Sequence, residues 1–397
     1  MRARPSWLDD GALQQFFAAT QQAGGEARIV GGAVRDVLLG RVVGDLDAAS
    51  TLPPEANLAL ARTLGWKAVP TGIAHGTVTL VLPGGRPLEV TTLRRDVTTD
   101  GRRATVAFTD DWAMDAARRD FTINALSMDA SGRLYDYCGG EADLAARRLR
   151  FIGEPAARIA EDGLRILRYF RFWAVLEAVP DDAALTAIAA ARGMVAPLSG
   201  ERIAAEMRRL LAAPQPMPAL VALAACALPP LLTGGDWHMA GLEALLRLEA
   251  AHGVAPNPWV RLMALIAPEA RPAAVDWVQA RWKLSRKEAA VLAFLVTALP
   301  PLTPPAQVKY GLRRAPRATV QAWLVLWLSA APELAQEAAA LLALAARWEP
   351  PCFPLQAKDL LAHGMTSGPA LGVRLRALED AWEAADYQPT CEDLLRL

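Results

Sequence analysis

The chain has 397 residues, enough for two or three domains, and its 42 basic residues balance 42 acidic ones. A formal charge of zero excludes nucleic-acid binding by a basic whole, so any such binding needs a local concentration of charge. Four scattered cysteines (Cys138, Cys226, Cys352, Cys391) without a CxxC argue against structural zinc, and no stretch reads as a signal core or membrane span; a cytoplasmic protein with no membrane partner is expected.

Up to about residue 150, short strands and helices alternate. "ARIVGG" reads as a strand, "AVRDVLLG" as a helix stopped by Gly40, and "DLDAAS" as a second strand. Side chains alternate along a strand, so Asp45 and Asp47 are expected on one face. "PPEANLALARTLG" opens on prolines and closes on glycine, as a helix should. "GTVTLVL", the turn "PGG" and "RPLEVTTL" predict a β-hairpin, with Glu89 facing opposite to Leu88 and Val90. Residues 94–111 are polar and without period and read as a mobile loop. Beyond 150 strand signals stop. "ARIAEDGLRILRYFRFWAVLEA" predicts one amphipathic helix with Ile166, Leu167, Phe170 and Ala174 as its core stripe, and "SGERIAAEMRRLLAA" another. Ala/Leu helices follow, jointed by proline clusters at 213–218, 299–305 and 349–354.

The chemistry concentrates early. The glycines of "VGGAVRD" sit between strand and helix, where backbone N–H groups can meet an anion, and Arg35 lies one turn further on. Two carboxylates ten residues later suit a hard divalent cation that bridges to substrate phosphates. Asp162 and Arg165, one turn apart, read either as a surface ion pair or as an acceptor–donor pair for a base edge. Cytosine and adenine both present an amine beside an unprotonated ring nitrogen; uracil and guanine reverse that pattern.

"GGAVRD…GDLD", "ARRDFTINAL", "EDGLRILRYFRF" and "LSGERIAAEM", in this order over about the first 210 residues, resemble the polymerase-β-like nucleotidyltransferases. The branch is that of tRNA CCA-adding enzymes and bacterial poly(A) polymerases. The resemblance implies an α+β fold: a nucleotidyltransferase head with a small mixed sheet (1–150), a helical neck that reads the base (151–212), and a helical body and tail (213–397) that bind the acceptor arm and 3′ end of tRNA. It implies template-independent addition of CCA from CTP and ATP; poly(A) polymerase, or a relative adding only CC or only A, is the alternative. Asp45 and Asp47 would hold Mg²⁺ and, with Glu89, form the catalytic carboxylates. Gly32, Arg35 and Arg119 would grip the triphosphate, with Asp120 as candidate orienter of Arg119. Asp162 and Arg165 would select the base, with Arg168 and Arg171 close by. A loop at 94–111 of near full length favours complete CCA addition, and His75 is expected to order its turn. Arg202, Arg208 and Arg209 are candidates for RNA contact or for a solvated helix face. A non-catalytic RNA-binding scaffold is the rival of another class, and it has no need of the aspartate pair.

Overall fold

The computed structural model describes residues 5–100 and 103–397. The chain divides into two compact units, Met1–Gly235 and Asp236–Leu397. The first opens with α1 (Gly11–Gln22), whose free N–H groups at Ala12 and Leu13 are capped by the Asp10 carboxylate. Then come β1 (Ala27–Val30), α2 (Gly32–Leu38), β2 (Asp47–Ser50) and α3 (Pro54–Thr63), which starts on proline. The strands β3 (Lys67–Gly72), β4 (Thr77–Val81) and β5 (Pro87–Thr92) follow. The β4–β5 hairpin turns through Gly84 and Gly85, both at positive φ, as expected of "PGG".

The 94–111 segment departs from expectation. It pairs into an antiparallel ribbon, β6 (Arg94–Asp100) with β7 (Arg103–Phe108), separate from the main sheet. Positions 101 and 102 of that segment lie outside the described residues. After α4 (Trp112–Ala117), the strands β8 (Ser127–Met128) and β9 (Leu134–Tyr135) complete a seven-stranded sheet of order β3-β4-β5-β2-β1-β8-β9. The sheet is mixed. Of its strand pairs among the described residues only β2–β5 is parallel, and it sets Asp47 directly beside Glu89.

Helices alone follow: α5 (Gly140–Ala145), α6 (Pro155–Glu161), α7 (Leu164–Leu176), α8 (Asp182–Ala190), α9 (Gly200–Leu211), α10 (Met217–Ala225) and α11 (Pro229–Thr233). The single helix expected over 157–178 is in fact two. Asp162 is extended (φ −156°, ψ 108°), and its carboxylate accepts from the Leu164 N–H at 3.0 Å, starting α7 afresh. Gly163 at the break abuts the Met194 carbonyl, where a Cβ would come within 2.6 Å. The expected stripe of Ile166, Leu167, Phe170 and Ala174 is buried. Phe121, Phe151, Tyr169 and Phe172 pack ring against ring, with Phe121–Phe151 centroids 4.8 Å apart, and fix the "RRDFT" segment onto α7.

The second unit holds α12 (Met239–His252), α13 (Pro258–Ala264), α14 (Arg271–Trp282), α15 (Arg286–Leu295), α16 (Pro304–Arg314), α17 (Arg317–Ala330), α18 (Ala338–Arg347), α19 (Ala357–Ala362), α20 (Pro369–Ala384) and α21 (Cys391–Leu395). Apolar α17 is its centre, packed by α12, α13, α15 and α18. A buried pair, Arg261 to Glu249 at 2.6 Å, staples α13 to α12. Leu355, Leu360, Leu378, Trp382 and Leu394 form a separate small core for the last three helices. Trp282, in the "DWVQARWKL" stretch, is fully buried. Among the described residues, no helix is long and apolar enough to cross a membrane.

Candidate active site

Backbone geometry comes first. Strand β1 ends at Val30, and Gly31, at φ 67° and ψ −121°, turns the chain into α2. A Cβ at Gly31 would stand 3.4 Å from Arg119 Nη1 and 3.7 Å from the Asn124 carbonyl. The turn thus needs a glycine at 31 for its conformation.

A cleft of about 670 Å³ opens at this turn. It is lined by Gly32, Arg35, Asp45, Asp47, Arg119, Asp162, Arg165, Arg168 and Arg171, which are all the expected site residues except Glu89. Its wall carries eight arginines and five aspartates, so polyanions are favoured inside it.

The expected strand 45–50 begins only at Asp47, and Asp45 lies in the irregular segment before it. What brings the two carboxylates together is the approach of that segment, not a shared strand face. Arg41 ties the segment to α7 through the Val175 carbonyl at 3.0 Å. Solvent reaches Asp47 in the open cleft, yet protein atoms crowd its carboxyl. Desolvation raises its pKa, the Glu89 and Asp45 charges raise it further, and Arg119 opposes them. Among the described residues no three His, Cys, Asp or Glu side chains converge into a metal cage. The donor set fits a hard cation all the same: magnesium is held by one or two carboxylates and completed by substrate phosphate and water.

The arginines are held by partners that differ from those expected. Arg35 Nη1 donates to Asn124 Oδ1 at 2.8 Å and Nε to Asp36 at 2.9 Å. Asp120 does not orient Arg119. It is buried and accepts from Arg168 Nε at 2.7 Å, from Asn124 Nδ2 and from the Phe121 N–H. Burial alone would raise its pKa, but Arg168 and these hydrogen bonds hold it below the ordinary carboxylate range. Arg119 is oriented instead by Asp115, from α4, at 3.2 Å, and by the Asn124 carbonyl at 3.3 Å.

Nor do Asp162 and Arg165 pair with each other. Asp162 Oδ2 accepts from Arg202 Nη2 at 2.6 Å, while Arg165 binds Glu161, the Arg158 carbonyl (2.9 Å) and the Arg118 carbonyl (3.3 Å). Arg171 is buried against Glu206 of α9 and stacks over Phe172 at 3.9 Å; burial lowers its pKa and Glu206 opposes that. At His75 the backbone carbonyl accepts from Arg94.

Asp115, Asn124 and Glu206 are thus neighbours of the expected site residues to which the motifs gave no role, and Arg202, expected at an RNA contact or on a solvated helix face, instead pairs with Asp162. Asp115 carried a signal, since it precedes Arg118 and Arg119 by three and four residues, the spacing of helical neighbours.

Residues 27–150 match the family described as the poly A polymerase head domain. The mitochondrial CCA tRNA nucleotidyltransferase 1 of Danio rerio is 37% identical over 388 residues, covering 93% of this chain and 86% of the relative. The chain belongs to the CCA tRNA nucleotidyltransferase family. A CCA-adding enzyme of Streptococcus pyogenes is 40% identical over 228 residues, covering 57% of this chain and 56% of the relative. The crystal structure of the Bacillus stearothermophilus CCA-adding enzyme in complex with CTP superposes with a TM-score of 0.76 at 30% identity, covering 94% of this chain and 93% of that one. The α+β fold with a nucleotidyltransferase head is therefore the fold of this family.

Proposed function

We propose that the protein adds CCA to the 3′ end of tRNA from CTP and ATP without a template. The observation that carries this reading is the single cleft in which two aspartates, a cationic wall and the Asp162/Arg165 pair come together.

In this reading Gly32, Arg35 and Arg119 receive the triphosphate beside the N-terminus of α2. Asp162 has two of about four lone-pair positions engaged, by Leu164 N–H and Arg202, and keeps acceptor capacity for an exocyclic amine. Arg165 spends both Nη1 hydrogens and one Nη2 hydrogen on the protein, leaving Nε–H and one Nη2–H to address a ring nitrogen. Cytosine and adenine satisfy both groups; uracil and guanine would oppose carbonyl to carboxylate. Arg168 and Arg171, fixed by Asp120 and Glu206, supply positive charge along the same wall. Asp45 and Asp47 would hold a divalent cation, Mg²⁺ in this reading, which when bound acidifies the RNA 3′-hydroxyl and draws charge from the phosphate oxygens. Glu89 stands beside Asp47 and deepens the negative potential that draws a cation there. The hydroxyl attacks the α-phosphate and pyrophosphate leaves, with the arginines stabilising the departing charge. Residues 1–150 serve as head, 151–212 as neck, and 213–397 as body and tail that hold the acceptor arm by shape. A cytoplasmic setting fits the four free thiols.

The match to the poly A polymerase head favours a second reading, poly(A) polymerase, with the same chemistry and another stopping rule. The purified protein, given tRNA lacking its 3′ CCA with Mg²⁺, CTP and ATP, is expected to yield 3′ ends reading CCA and then stop. A long A tail would mean poly(A) polymerase, CC alone a partial enzyme, and no extension would remove the enzyme reading.

A further inference from the structure

Two adjacent arginines, Arg118 and Arg119, line the cleft just past the end of α4. Side by side they repel, and each has a long stem with many rotamers. One buried carboxylate resolves both problems. Asp115 is 3% exposed and does not line the cleft. Its Oδ1 accepts from Arg118 Nε at 2.9 Å and Nη2 at 2.6 Å, and from the Arg94 N–H at 3.3 Å. Its Oδ2 accepts from Arg119 Nη2 at 3.2 Å. The spacing i, i+3 and i+4 brings both guanidinium groups to one acid.

We infer that Asp115 is a positioning residue that holds Arg118 and Arg119 as a two-pronged fork for the polyphosphate chain of the incoming nucleotide, without touching it. The inference rests on the triphosphate reading of the cleft and adds Arg118 to it as the second prong. Burial pushes the Asp115 carboxyl up, but Arg119 and Arg118 more than offset this, so the acid stays ionised at neutral pH.

The test measures binding of inorganic tripolyphosphate with Mg²⁺ to the full chain by calorimetry, alongside steady-state kinetics. Asp115→Asn is expected to weaken tripolyphosphate binding and to raise KM for CTP and ATP alike, each about tenfold. The KM for tRNA and the preference for CTP over UTP should not move. Asp115→Glu should recover part of the loss. A loss of tripolyphosphate and tRNA affinity together, with Asp115→Glu no better than Asp115→Asn, would reduce Asp115 to a structural role. Asp115→Asn leaves two cations short of a partner, so Asp115→Asn/Arg118→Gln is compared with Arg118→Gln alone. The double variant should bind tripolyphosphate more weakly, because Arg119 also loses its anchor; equal affinity overturns the inference. If the wild type itself fails to bind tripolyphosphate, the triphosphate reading of the cleft falls. If the wild type binds and Asp115→Asn matches it, only the positioning role falls.

Discussion

At Asp162 an arginine from α9 already occupies part of the acid that is proposed to read the base, and this makes the residue a sensitive probe. Asp162→Asn keeps the shape but turns one acceptor edge into a donor. Misincorporation of UTP is expected to rise relative to CTP by about a hundredfold, read by sequencing product 3′ ends. Asp47 separates stability from activity. Its pKa is raised in the fold by crowding and by Glu89 and Asp45, so the folded state binds a proton more readily than the unfolded chain. Stability tied to this group therefore rises as pH falls through the raised value, and the ionised form is a burden at neutral pH. Asp47→Asn is expected to melt higher than wild type at pH 7 in metal-free buffer, with the difference vanishing near pH 3. It should also lose about a thousandfold or more in addition rate. Asp120 runs the other way: its pKa is lowered, so its contribution is present above the unfolded value and lost as pH falls through the folded one. The identity of the cleft residues was legible in short motifs. Their pairing was not, because eight arginines and five aspartates share the wall and tertiary packing chooses among them.

Among the elements, the break between α6 and α7 decides most. It puts Asp162 in extended backbone, turned out of the helical register that would have set it beside Arg165. Gly163→Ala would push a methyl against the Met194 carbonyl, a backbone atom unable to yield. A loss of about 1–3 kcal/mol is expected by denaturant titration, with the KM for nucleotide rising as Asp162 shifts. The break escaped prediction because apolar periodicity continues across it and no proline marks it; the constraint is Met194, a neighbour distant in sequence. The β6–β7 ribbon escaped for a related reason. Its pairing rests on hydrogen bonds between two stretches and not on a face of the main sheet, so alternating hydrophobicity does not announce it. By contrast, α3, the β4–β5 hairpin and the stripe on α7 carried their own local signals.

For the whole molecule, the contact boundary at Gly235 predicts a divisible protein. Residues 1–235 contain the entire cleft, so this fragment is expected to bind CTP within about threefold of the full chain by calorimetry. Extension of tRNA should fall by at least about a hundredfold if 236–397 holds the acceptor arm. Binding of CTP by the full chain but not by the folded fragment would show that the second unit contributes to the nucleotide site.

The cationic wall has one further property. Five lysines occur in the chain against thirty-seven arginines, Lys67 is the one lysine in 1–235, and none is among the described residues of the cleft. Guanidinium groups stay charged throughout the range in which proteins remain folded, whereas amines do not. The phosphate grip proposed for this wall would thereby be indifferent to alkaline conditions and closed to acetylation. Dicarbonyl reagents that modify arginine should abolish nucleotide binding, while reagents that acylate amines leave it intact.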